Sequence, residues 1–112
     1  MYENNILVSD SITLGMLKEI TSNIAPNYPF KKVYLFGSRA RGDYSHSSDY
    51  DFCIVPDEGY TILDMGGFLI DMQDALRCEI SVVSEKGMNR EFLDAIVKER
   101  RVIYEVRVQY TS

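Results

Sequence analysis

The sequence is poor in cysteine, in histidine and in basic residues, and it has no long apolar run. Cys53 and Cys78 are the only cysteines among 112 residues, which excludes a disulfide scaffold, because small secreted domains of that kind are cysteine-dense. Both lie inside apolar, strand-like stretches, where a thiol behaves as a small core hydrophobe. They are expected to be free, and the protein reads as cytoplasmic and reduced. No segment approaches the ~20 apolar residues that cross a bilayer. The opening MYENNILVSD has neither a basic n-region nor an apolar core, so no secretory signal is expected. With 12 Lys and Arg against 17 Asp and Glu, the formal net charge is -5. The chain therefore lacks the broad basic face that phosphate-backbone binding needs, and neither a direct nucleic-acid partner nor a membrane is expected. Repeats, low-complexity tracts and linkers are absent too.

What remains is the ordinary balance of a globular protein, with 46% hydrophobic and 26% charged residues. The length fits one domain over residues 1–112, with a core small enough that a partner would add much. Ile12, Met16, Leu17, Ile20 and Ile24 form a helical stripe over about Ser11 to Ile24, stopped by Pro26 and Pro29. Lys32–Phe36 is β-prone and ends at Gly37; residues 37–48 read as a loop with one helical turn. Asp49–Val55 is a second strand closed by Pro56. Thr61 and Asp64 have the spacing of a capping box opening a helix to about Leu76, weakened by Gly66–Gly67. Glu79–Val83 is a third strand, Asn89 caps a last helix with Phe92, Leu93, Ile96 and Val97 inward, and Val102–Val106 adds a fourth strand. The order predicts an α/β (α+β) sandwich, a small mixed sheet flanked by helices.

Asp49 and Asp51, two apart on a strand, leave the same face, while Tyr50, Phe52 and Ile54 face the core. Hard cations such as Mg²⁺ take oxygen ligands and keep substrate phosphates in their shell. Two such ions clamp the attacking and leaving oxygens of an in-line phosphoryl displacement. Glu79 opens the neighbouring strand and could complete the set. An Asp-x-Asp by itself reads first as a pair of solvated charges on an edge strand. Here it follows a strand that ends at Gly37-Ser38 and a loop with Arg39 and Arg41, a setting suited to an anion nest. The spacing of Gly37 and Gly42 is that of a P-loop, but Asp43 and Tyr44 stand where Lys and Ser or Thr are required, so the P-loop reading fails. His46 is the lone histidine and reads as a solvated loop residue rather than a general base. Lys98–Arg101 reads as a solvated patch complementing a helix dipole.

Gly37-Ser38, ten intervening residues and Asp49-Tyr50-Asp51 resemble the Gly-Ser…Asp-x-Asp signature of the DNA polymerase β-like nucleotidyltransferases. The string LFGSRARGDYSHSSDYDFCIV is similar to the minimal nucleotidyltransferase (MNT) branch, and CEISVV resembles the strand that supplies its third carboxylate. The resemblance runs from about Leu17 to Tyr104. It implies the nucleotidyltransferase fold. It also implies transfer of a nucleoside monophosphate, AMP from ATP, to an acceptor hydroxyl with two Mg²⁺ ions. Gly37 and Ser38 would bind the triphosphate, Asp49 and Asp51 would ligate both metals, and Glu79 would ligate the catalytic metal and take the acceptor proton. A role for Arg39 and Arg41 in neutralising phosphate charge is set against one as solvated loop arginines. Glu79 departs from the more frequent Asp. Small stand-alone members of the branch are commonly paired with a helical HEPN-type toxin, which they neutralise as antitoxins by adding AMP to a tyrosine. Two alternatives stand beside this: a non-catalytic antitoxin acting by occlusion, and a small-molecule nucleotidyltransferase, against which the missing second domain counts.

Overall fold

The computed structural model describes residues 3–106. Four strands, β1 (Phe30–Phe36), β2 (Tyr50–Pro56), β3 (Ile80–Ser84) and β4 (Arg101–Glu105), form one sheet in the order β3-β2-β1-β4. β1 runs antiparallel to both β2 and β4, and β2 runs parallel to β3. The sheet is therefore mixed, as expected. The helices are α1 (Leu14–Ile24), the short α2 (Ser38–Arg41), α3 (Ile62–Leu76), which connects the parallel strands, and α4 (Arg90–Val97). Among the described residues, no helix is long and apolar enough to cross a membrane.

One sheet face carries the main core. Val33 and Leu35 of β1 and Tyr50, Phe52 and Ile54 of β2 are buried there against Leu14 and Leu17 of α1 and Phe68 and Met72 of α3. A bulge between Phe30 and Lys32 returns Phe30 to this face, although it stands three residues from Val33. The buried side of α1 is Leu14, Leu17 and Thr21, whereas Met16, assigned to the stripe, is 47% exposed. Thr21 fits the core because its hydroxyl donates to the Leu17 carbonyl at 2.8 Å. Pro26 ends α1 by opening a separate 3₁₀ turn, Ala25–Asn27.

The capping box of α3 forms, with Thr61 N–H donating to Asp64 at 2.8 Å. The helix runs unbroken through Gly66 and Gly67, and the second glycine has a packing role: a Cβ there would stand 2.9 Å from the Tyr28 hydroxyl. Tyr28 bonds onward to Asp71 of the same helix.

The opposite sheet face carries a smaller cluster of Phe36, Cys53 and Ile96, covered by α4. Of the four α4 residues assigned inward, Ile96 is buried and Leu93 partly so. Phe92, 42% exposed, meets Phe36 edge-on, and Val97 is 49% exposed. Cys53 belongs to this smaller cluster and Cys78 packs against the main core, so the thiols lie on opposite faces; both are free.

Candidate active site

The end of β1 lies beside the start of β2, with Phe36 opposite Asp51. At Gly37 the chain leaves β1 with φ +77° and ψ −160°, a conformation essentially closed to residues with a Cβ, and enters α2. A Cβ on Gly37 would overlap Asp51 Oδ2 and stand 3.2 Å from its Cγ. The glycine therefore does two things: it makes the turn, and it leaves room for the Asp51 carboxylate against the backbone. Gly42, in the left-handed region, closes α2.

Because Tyr50 is buried in the core, Asp51 emerges on the other face of β2, and Asp49, exposed just ahead of the strand, shares that side. Glu79 stands just ahead of β3 as Asp49 does ahead of β2; its carbonyl accepts from the Tyr50 N–H at 3.2 Å, and its side chain is exposed. Ile80 pairs with Tyr50 and is buried with it, so Glu79 is in phase with Asp49. Asp51 titrates above the ordinary aspartate range, first because it is half-buried and then because Asp49 repels its charge; Glu99 adds to the rise and Arg41 opposes it. Among the described residues no three His, Cys, Asp or Glu side chains converge into a ready metal cage. The oxygen-only donors of Asp49 and Asp51 nevertheless suit a hard cation, and the uncompensated negative charge at Asp51 is what such a cation would relieve.

The two loop arginines diverge. Arg41 is exposed, donating to both oxygens of Glu99 at 3.0 Å and through Nε to Asp43 at 3.0 Å. Arg39 is 5% exposed and serves the interior. It donates to the Ser48 carbonyl through Nε at 3.0 Å and Nη2 at 2.6 Å, and to the Val8 carbonyl through Nη1 at 2.7 Å. Its guanidinium lies 4.3 Å from the Tyr50 ring centroid and 5.0 Å from that of Tyr44. Neither paired reading of the arginines describes Arg39, which is neither solvated nor aimed at the carboxylates. It fixes the loop that leads into Asp49. Ser38, at the start of α2, is partly exposed. His46 is 93% exposed by side chain, its Nδ1 3.4 Å from Asp10. A cavity of about 180 Å³ beside Arg39, Tyr50 and Cys78 lies on the Tyr50 side of β2, away from Asp51.

Sequence reasoning missed Glu99. One of its carboxylate oxygens accepts from the Gly37 N–H at 2.6 Å while both face Arg41. Its neighbours are also engaged: Arg100 lies over Tyr34, 3.9 Å from the ring centroid, and Arg101 donates to the Ala40 carbonyl at 2.9 Å. Within Lys98–Arg101, Glu99 and Arg101 thus hold the β1–α2 turn and Arg100 covers Tyr34 of β1, while Lys98 is exposed, so the solvated-patch expectation fits Lys98 alone. No local pattern announces contacts across some sixty residues.

Residues 18–107 match the family described as Polymerase beta, Nucleotidyltransferase. A "Putative protein adenylyltransferase" of Methanocaldococcus jannaschii is 34% identical over 100 residues, covering 79% of this chain and 94% of its own length. A solved "putative minimal nucleotidyltransferase" superposes with a TM-score of 0.71 at 25% identity, over 83% of this chain and 98% of that one. A structure of a tri-AMPylated Shewanella oneidensis HEPN toxin in complex with an MNT antitoxin gives a TM-score of 0.65 at 11% identity, over 84% of this chain and 74% of the matched one, a likeness of fold. Fold, turn and carboxylate strand thus agree with the match over most of the chain, and the protein belongs to the polymerase β nucleotidyltransferase family, as an enzyme of its minimal nucleotidyltransferase branch.

Proposed function

We propose that the chain transfers AMP from ATP to a tyrosine hydroxyl of a helical HEPN-type partner and so acts as its antitoxin. The observation that carries this reading is the fit of Gly37 against Asp51, with no room for a Cβ between them. It brings a turn with an amide donor against a strand bearing carboxylates, the juxtaposition that a metal-bound triphosphate needs. The adenylyltransferase relative and the toxin–antitoxin fold neighbour support the donor and the partner.

Gly37 N–H and Ser38 receive the triphosphate, and Arg41 offsets its charge. Asp49 and Asp51 hold the divalent cations, with Glu79 as a third carboxylate. Mg²⁺, when bound, neutralises the phosphates and stabilises the charge that develops on the attacking and leaving oxygens. The acceptor oxygen forms its bond to the α-phosphorus as the bond to pyrophosphate breaks, and the acceptor proton passes to Glu79. Since catalysis of this kind is mostly positioning and charge stabilisation, the pre-set β1 turn is a large part of what the protein supplies.

Incubation with ATP, Mg²⁺ and the helical product of a neighbouring gene, followed by intact-mass analysis, tests the reading. The partner should gain AMP on tyrosine, and Asp49→Asn or Asp51→Asn should abolish the gain without unfolding the chain. A tight complex with no mass increase would instead indicate occlusion, and ATP binding of equal strength in EDTA would refute the metal-dependent site.

A further inference from the structure

We propose that Glu99 is a resident competitor for the nucleotide, its carboxylate occupying the Gly37 amide and the Arg41 guanidinium until a triphosphate displaces it. The inference rests on the phosphate role proposed above for those two groups. The 2.6 Å bond from Gly37 N–H is short, as expected for an amide donating to a charged oxygen. Arg41 faces both carboxylate oxygens at 3.0 Å. A guanidinium recognises carboxylate and phosphate through the same planar donors, so Glu99 resembles a small anion already in place. At 21% side-chain exposure it is also more than a casual surface ion pair.

Glu99 and Asp51 meet at Gly37: one Glu99 oxygen accepts from its N–H, and the Asp51 carboxylate packs where a Cβ would stand. A carboxylate held beside other carboxylates is poised to leave when a cation-bound phosphate brings its own charge balance. The backbone on either side is anchored, Val97 ending α4 and Arg101 opening β4, with Arg100 stacked on Tyr34 and Arg101 bonded to Ala40. Displacement therefore needs rotation of the Glu99 side chain, not movement of the strand. The arrangement keeps stray anions off the turn and sets a threshold that a triphosphate can pass.

Titration calorimetry with ATP and Mg²⁺ on the full chain, its Glu99→Gln and its Glu99→Ala variants tests this, with adenosine as the phosphate-free control. Removing a charge-assisted competitor should tighten ATP binding about tenfold in Glu99→Ala. The gain should be smaller in Glu99→Gln, whose amide oxygen can still accept from Gly37, and adenosine affinity should not change. Equal or weaker ATP binding in both variants would overturn the proposal, since Glu99 would then merely hold Arg41 and the turn in shape. Thermal melting controls for folding; the isosteric Glu99→Gln carries the test if Glu99→Ala unfolds. The Gly37 amide resonance separates the two levels of inference. It should stand downfield in the free chain and converge on one position in wild type and variant once ATP and Mg²⁺ saturate them. ATP binding that leaves the wild-type Gly37 resonance unmoved refutes the displacement but leaves the nucleotide reading intact. Saturating ATP that perturbs no resonance from Gly37 to Asp51 refutes the nucleotide reading, and the displacement with it.

Discussion

Replacing Gly37 with alanine should damage activity far more than stability. Two costs add at this position. The backbone at φ +77° and ψ −160° lies where a residue with a Cβ is strained, a penalty of roughly 1–3 kcal/mol. The new methyl would also overlap Asp51 Oδ2, so either the carboxylate swings away or the turn opens. The first relaxation moves a proposed cation ligand, and the second moves the amide that now bonds Glu99. For a domain of this size about 2 kcal/mol lowers the melting temperature by roughly 10 °C, tolerable near room temperature. Transfer should fall by a factor of about 100 or more, because ångström-scale misplacement at a reacting site costs that much. Gly42→Ala is the matched control: it also has positive φ, +89°, but nothing lies within 4 Å of the added Cβ. It should lose less stability, because its ψ of 4° lies in the left-handed region that residues with a Cβ can enter, and retain most of its activity. The assay is the initial rate of AMP incorporation beside a thermal melt for each variant. If Gly37→Ala transfers at the wild-type rate, or if the two variants lose activity equally, the packing of Asp51 on Gly37 is not what sets the site.

Three further outcomes are expected. Gly66→Ala should stabilise α3 by about 0.5–1 kcal/mol, since its Cβ would meet open space, whereas Gly67→Ala should destabilise by driving into Tyr28; chemical denaturation distinguishes them. Arg39→Met should cost about 2–3 kcal/mol, because the Val8 and Ser48 carbonyls lose a charged donor, whereas Arg41→Gln should melt near wild type and show its defect in ATP affinity. Asp51 holds its proton to higher pH folded than unfolded, so its contribution favours the folded state at low pH and is lost as pH rises from the ordinary aspartate value through the raised one. Asp51→Asn should therefore melt above metal-free wild type at neutral pH, with the gain shrinking on acidification through that window, and Mg²⁺ should raise the melting temperature of wild type only.

The elements were legible in the sequence because hydrophobic period and turn chemistry agree at most of them. Tyr50, Phe52 and Ile54 alternate against Asp49 and Asp51, and a period of two admits only one assignment of faces. β1 begins two residues before the β-prone run at Lys32, because Lys31 and Lys32 hide a bulge that puts Phe30 back in the core. Leu14 and Met16, two residues apart, point to nearly opposite sides of α1; which of them is buried is set by the partner surface, which helical period does not contain. α4 shows the same limit, since a short helix over a small cluster buries Ile96 fully and leaves Val97 half in solvent.

At the site, local pattern carries chemistry but not allegiance. Arg39 and Arg41 are two apart in one motif, yet one turn of helix sends them to different environments: Arg39 under the loop between two tyrosine rings, Arg41 out to Glu99. The tyrosines flanking the loop were the available signal for Arg39, because an arginine among aromatics can be buried by stacking when carbonyls satisfy its donors. Glu99 offered no such signal. Its role exists only because β4 returns antiparallel to β1, bringing the α4–β4 junction beside the end of β1 where Gly37 turns. The residues expected to do chemistry are thus found by spacing along one strand and one turn. The residue that occupies the Gly37 amide in the free chain is found only once the sheet is closed.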